Sequence, residues 1–339
     1  MELIPTEVLR DILWRCSKYA PILKETCYEW SGILSENKVD KIALSFEEMA
    51  ERGHIDLLER VGRKQIGVKR ISNILCHAAK GGHLRIMHLA KEWGSDDYDD
   101  ALFNAAKGGQ IPAMHLLKKW GATYYDDALE YAADNGQLPA MHLLKEWGAT
   151  NFNEAFNYAS LKGQLPAMHL LKEWGANNFN ESLNYAADGG QIPAMHSLKA
   201  WGATNFNEAL EYAANRGQIS AMHLLNEWGA TNFNEALEYA AENGEIEAMH
   251  LLKKWGATNY DYALSGAAEN GHISVMRLLK EWGATNYNFA LALAAEAGQI
   301  PAMYLLKEWG ANDYDYAILY GSDRIEVLDL LIRWMHEPS

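Results

Sequence analysis

The chain has 339 residues, of which 49% are hydrophobic and 22% charged, and a formal net charge of −15. These proportions exclude a disordered polymer, and no run of about 20 apolar residues offers a membrane span. The negative charge argues against a phosphate backbone or an anionic lipid surface as partner.

The start, Met1-Glu2-Leu3-Ile4-Pro5, lacks the basic and apolar stretch of a secretory signal. Three cysteines, Cys16, Cys27 and Cys76, lie in the N-terminal quarter. Their odd number speaks against a disulfide framework, so the expected location is cytoplasmic or nuclear. Residues 3–34 predict two helices. In the first, Pro5 and Glu7 precede an amphipathic pattern of Val8, Leu9, Ile12 and Leu13. The second carries Cys27 and Trp30 and reaches Leu34.

This Pro-x-Glu start followed by a Cys-x-x-Trp step resembles an F-box. The resemblance implies docking on the Skp-type adaptor of a cullin ubiquitin ligase. The docking residues would be Ile4, Pro5, Val8, Leu9, Ile12 and Leu13, with Trp30 helping to hold the helices together. A plain helical cap over the first repeat is the other reading. On either one, residues 1–42 form one segment and residues 43–339 a repeat array.

Phe46 to Ile55 reads as a degenerate opening repeat. The basic cluster Arg60, Arg63, Lys64, Lys69 and Arg70 reads as a solvated surface rather than a nucleic-acid site. From Trp93 onward a Trp-Gly pair recurs every 27 residues, through Trp120, Trp147, Trp174, Trp201, Trp228, Trp255, Trp282 and Trp309. A fixed period in the range of about 20–50 residues marks a solenoid of stacked supersecondary units, which commonly serves as an extended binding surface.

Residues 205–231 serve as the type repeat. Asn207 stands where a side chain can cap a helix. The Leu210, Tyr212, Ala213 and Ala214 that follow fall at helical spacing and predict an apolar face. Gly217 supplies the left-handed turn that ends this helix. A second helix continues to Trp228-Gly229, and in five repeats it opens with a proline (Pro112, Pro139, Pro166, Pro193 and Pro301), whose missing N–H costs nothing there. The methionine column from Met87 to Met303 reads as core. Each tryptophan, able to bury about 150–250 Å², reads as the main inter-repeat spine. A shortened last pair ends at Trp334.

The stretch from Glu208 to Ala230 resembles an ankyrin repeat, through Leu210, Ala213-Ala214, Gly217, Leu224-Leu225 and Gly229-Ala230. The Gly-His steps at Gly82-His83 and Gly271-His272 strengthen the match. An ankyrin repeat spans about 33 residues, so here the projecting β-hairpin finger shrinks to a short connection. The expected fold is an all-α solenoid of about 11 stacked helix-turn-helix, ankyrin-like repeats without long β-hairpin fingers. Short repeats of this type look like those of large DNA viruses of amoebae, which implies an infected host cell.

The histidine column (His88, His115, His142, His169, His196, His223, His250) invites a metal reading. Neighbouring helices about 8–10 Å apart do not bring such rings to a common ion regularly, so exposed polar residues are expected. No phosphate loop or catalytic constellation stands out, so neither cofactor, metal nor enzyme activity is expected. The breaks in the pattern point to a partner site. The first-helix opening changes from acid (Asp127, Glu154, Glu181, Glu208, Glu235) to Tyr262, Phe289 and Tyr316. The histidine column changes to Arg277 and Tyr304. Exposed aromatics and Arg are enriched at interaction hot spots. The expected function is an adaptor that binds a target protein on the array and presents it to the ubiquitin ligase. The alternative is a binding scaffold or decoy with no ligase link.

Overall fold

The computed structural model describes residues 45–61, 68–321 and 323–336. The N-terminal segment that resembles an F-box, with the six residues expected to dock, lies outside them. Among the described residues there are helices and connecting turns but no strand. Packing divides the chain into two units, residues 1–105 with 112–122 and residues 106–111 with 123–339.

In the first unit the opening repeat is a helix pair, Phe46–Glu51 and Ile55–Val61, followed by Val68–Gly81 and Leu84–Glu92. Ser45 and Glu48 form a reciprocal capping box at its start. Glu51 receives Lys80 Nζ at 2.7 Å and meets His77 Nδ1 at 2.9 Å. These two partners hold its carboxyl below the usual carboxylate range, Lys80 contributing most.

The second unit repeats one hairpin. Its first helices, among them Phe152–Leu161, Phe179–Asp188, Phe206–Asn215, Phe233–Glu242 and Tyr260–Glu269, begin 27 residues apart, and each packs on the next. Second helices such as Ile219–Glu227 return alongside.

The local chemistry explains the turns. Gln218 N–H donates to Ala213 C=O and Gly217 N–H to Ala214 C=O, closing the first helix with a left-handed glycine at φ 62°. Ala230 N–H to Leu225 C=O and Gly229 N–H to Asn226 C=O close the second helix in the same way, with Gly229 at φ 101°. Proline sits in the first turn of the second helices that begin at Leu138, Leu165, Ile192 and Ile300, as expected.

The core of each repeat is small and aliphatic. Ala209, Leu210, Ala213, Ala214, Ala221, Met222 and Leu225 are fully buried. Each such Leu or Met contributes about 1.5–3 kcal/mol, and the alanines let neighbouring helices approach closely. The methionine column is core, as its spacing implied.

Three expectations need correction. The indoles are not the core spine: Trp120 through Trp309 are half-buried, and among the described residues only Trp93 and Trp334 are buried. Tyr212 does not belong to the apolar face but is 41% exposed, because its helix offers solvent the side opposite Leu210 and Ala213. Asn207 does not cap a helix. Asn205 occupies the cap without accepting a helix N–H, its Nδ2 donating to Asn184 and Glu208, and the Asn207 side chain reaches the next repeat instead.

Candidate partner-binding surface

The connections between successive helix pairs are tied together by side-chain acceptors. Asn153 Oδ1 accepts the N–H of Asn177 at 3.0 Å, and Asn180 Oδ1 that of Thr204 at 2.7 Å. Asn234 Oδ1 accepts from Thr258 and Asn259, Asp261 Oδ1 from Thr285 and Asn286, and Asn288 Oδ1 from Asn312 and Asp313. Each acceptor sits in the first turn of a first helix and satisfies main chain of the following connection. This ladder fixes the openings of successive first helices side by side, and the side chain after each acceptor is presented at the rim.

At that rim the change from acid to aromatic has a structural consequence. Tyr262, Phe289 and Tyr316 line one open depression of about 520 Å³, together with Asp261, Asn288 and Asp313. Tyr262 is 56% exposed. Phe289 and Tyr316 are half-buried; the N–H of each is capped by the side chain three residues before it, Asn286 and Asp313. The Tyr316 hydroxyl lies 3.1 Å from that of Tyr320.

Arg277 and Tyr304 do not join this depression. They line a second one of about 660 Å³ with Ile273 and Pro301 on the second helices. The five residues singled out from the sequence therefore fall into two places. Tyr304 also has a packing role, since its ring meets Trp334 edge-on at 5.2 Å.

The histidines it replaces do the same. His142 meets Trp174 at 5.3 Å, His169 meets Trp201 at 5.0 Å and His196 meets Trp228 at 5.4 Å, all edge-on. A lysine covers each of these three indoles: Lys145 Nζ lies 4.4 Å from the Trp174 centroid, Lys172 Nζ 5.3 Å from Trp201 and Lys199 Nζ 4.4 Å from Trp228. The opening aromatic of the indole's own repeat (Phe152, Phe206) packs on it as well. Each half-buried indole thus clasps two repeats. The constant 32-residue offset from His to Trp was the sequence signal for it.

A surface that sequence reasoning missed runs along the exposed side of the first helices. Tyr131, Tyr158, Tyr185, Tyr212 and Tyr239 recur at the repeat period, and the rings of Tyr158 and Tyr185 stand 6.4 Å apart. One residue before these tyrosines are Glu130, Asn157, Asn184, Glu211 and Glu238, and four before them the acids that open each helix. Burial, then the carboxylates of Asp127, Glu154 and Asp126, push the Glu130 carboxyl up to about 7. Burial raises Glu211, Glu238 and Glu242 as well, and neighbouring glutamates add to it. The Tyr158 and Tyr185 phenols are raised by burial and then by Glu130 and Glu154 respectively. Within this column Asn157 is fully buried. Its Oδ1 accepts from Ser182 Oγ at 2.7 Å and Asn178 Nδ2 at 2.8 Å, while its Nδ2 has no partner.

No described helix is long and apolar enough to cross a membrane. No protein-family model matches the chain, and no curated protein does. Among solved structures the chain is similar to the human ASB11 ankyrin repeat domain. The identity is 22%, the TM-score is 0.41, and the match covers 54% of this chain and 99% of that one.

Proposed function

We propose that the repeat array is a non-enzymatic scaffold that holds a target protein at the depression lined by Tyr262, Phe289 and Tyr316. One observation carries this reading. Three successive repeats replace the acid at their helix opening with an aromatic ring, and the three rings open on one concavity rimmed by polar side chains. Partly exposed aromatics framed by polar groups are the composition of interaction hot spots. Arg277 and Tyr304, on the second helices of the same repeats, supply a second contact.

The test is affinity capture of partners with full-length protein and with a Tyr262→Ala/Phe289→Ala double variant. Capture is expected to fall at least tenfold while thermal melting stays unchanged. Unchanged capture with normal melting would refute the reading.

The finer reading adds the N-terminal segment. Its support is the F-box-like sequence itself, with Ile4, Pro5, Val8, Leu9, Ile12 and Leu13 as the residues that dock a Skp-type adaptor. The protein would then deliver its target to a ubiquitin ligase in the cytoplasm or nucleus of a host cell. A pull-down of the adaptor by the full chain, lost in Pro5→Ala and Leu9→Ala variants, is the expected result. If the adaptor is captured equally by a chain lacking residues 1–42, the segment is an ordinary cap.

A further inference from the structure

The tyrosine and carboxylate face of the first helices lies apart from the aromatic depression in sequence, in repeats 125–242 rather than 260–316. Four of its helices open with an acid: Glu154, Glu181, Glu208 and Glu235. The last three of these are exposed. Beside them run the tyrosine rings, of which Tyr212 and Tyr239 are each 41% exposed. Arg216, at the far end of its helix, is engaged with Asp188 at 2.9 Å. Between two of these helices, the fully buried Asn157 contacts Asn178 and Ser182 and keeps one amide donor without an acceptor.

From this combination we infer that the face binds an extended protein segment bearing arginines at every third residue. The inference rests on the reading of the array as a protein-binding scaffold and names a second surface for it. Three features of the face meet such a segment. Carboxylates crowded enough to repel one another are relieved by an incoming cation. Tyrosine rings accept a guanidinium over their faces. The Asn157 Nδ2, buried and without an acceptor, would be satisfied by a main-chain carbonyl pressed onto it.

The spacing follows from geometry. Packed helices lie about 8–10 Å apart, and an extended chain advances about 3.3 Å per residue. Three residues therefore cover one repeat, and a cation at every third position faces each tyrosine and acid in turn.

The experiment uses the full chain and two fluorescent peptides of equal composition. One has four arginines separated by Gly-Ser pairs, the other has its four arginines consecutive. Binding is followed by anisotropy at about 150 mM salt, where long-range attraction is screened. The spaced peptide is expected to bind at least threefold more tightly. A variant with Glu154→Gln, Glu181→Gln, Glu208→Gln and Glu235→Gln keeps the side-chain acceptors and is expected to weaken it at least tenfold. A charge-matched control neutralises Glu146, Glu173, Glu227 and Glu281, exposed acids on the second helices, and should change binding less than twofold. Tyr158→Leu/Tyr185→Leu should weaken binding at least threefold.

Equal loss in both neutralised variants would mean general attraction to an acidic protein and overturn the inference, as would no preference between the peptides. If Tyr262→Ala/Phe289→Ala abolishes peptide binding while the face variant retains it, the segment sits in the depression. That outcome removes this face and leaves the depression reading standing. Peptide binding that survives Tyr262→Ala/Phe289→Ala and is lost in the face variant supports the face on its own.

Discussion

Asn207 Oδ1 accepts the backbone N–H of Thr231 at 2.7 Å, joining one helix opening to the connection 24 residues later. The same geometry recurs with Asp at positions 126 and 261, so what the site demands is an acceptor oxygen rather than an amide. Asn207→Asp is expected to keep the bond, while Asn207→Ala leaves the Thr231 amide to water. Because the site is exposed, the loss sits near about 0.5–1 kcal/mol, the lower part of the range for a net hydrogen bond. Amide hydrogen exchange reads it directly. Thr231 should exchange faster in the alanine variant and at the native rate in the aspartate variant, and equal protection in both would deny the ladder a role.

The indole clasp has a different signature. Trp228 is half-buried between His196, Lys199 and its own Phe206, whereas Leu225 is fully buried. Truncating a fully buried leucine costs about 2–5 kcal/mol and a buried tryptophan about 3–5 kcal/mol. Part of the indole already meets solvent, so Trp228→Ala is expected to cost about 2 kcal/mol, less than Leu225→Ala. Lys199→Ala should cost about 0.5–1 kcal/mol, the value of an exposed cation–π contact. Urea midpoints of the three variants check the order, and a Trp228→Ala loss exceeding that of Leu225→Ala would restore the indole as the core spine.

The repeat period, the paired helices, their glycine turns and the proline starts were legible in the sequence, because each rests on local backbone chemistry. Gly217 and Gly229 each close a helix through its own last carbonyls, and Pro139 needs only the turn in which it sits. The orientation of Tyr212 was not legible. In a stacked array each helix has neighbours on two sides, so the apolar stripe is wide, and an amphipathic ring at its border satisfies the same periodicity whether it faces core or solvent. The role of Asn207 was hidden for a related reason: its partner lies in the next repeat, and capping residues look alike in sequence whichever amide they accept. The aromatic openings at Tyr262, Phe289 and Tyr316 were visible as breaks in the pattern. That Arg277 and Tyr304 line a separate depression depends on which helix of the pair carries them, and position in a repeat does not reveal where the two helices point.

The carboxylate column gives stability a pH dependence of unusual sign. Glu130 titrates near 7 in the folded chain because burial and the facing Asp126, Asp127 and Glu154 carboxylates disfavour its ionised form, with the Tyr158 phenol adjoining. In the unfolded chain it returns to the ordinary value near 4.5. Between these values the folded state holds more protons than the unfolded one, so this group's contribution falls as pH rises from about 4.5 to about 7 and is level above that. Glu211, Glu238 and Glu242 are raised and act in the same direction. Glu51 opposes them, since its lowered carboxyl loses its contribution as pH falls. Glu130→Gln removes the ionisation while keeping the shape. Its urea midpoint is expected to exceed that of the parent at pH 8 and to match it at pH 4, where Glu130 is protonated when folded and mostly so when unfolded. A Glu130→Gln variant with the same advantage at both pH values would show that packing rather than charge sets the difference, and the crowding of carboxylates along this face would then carry no energetic weight.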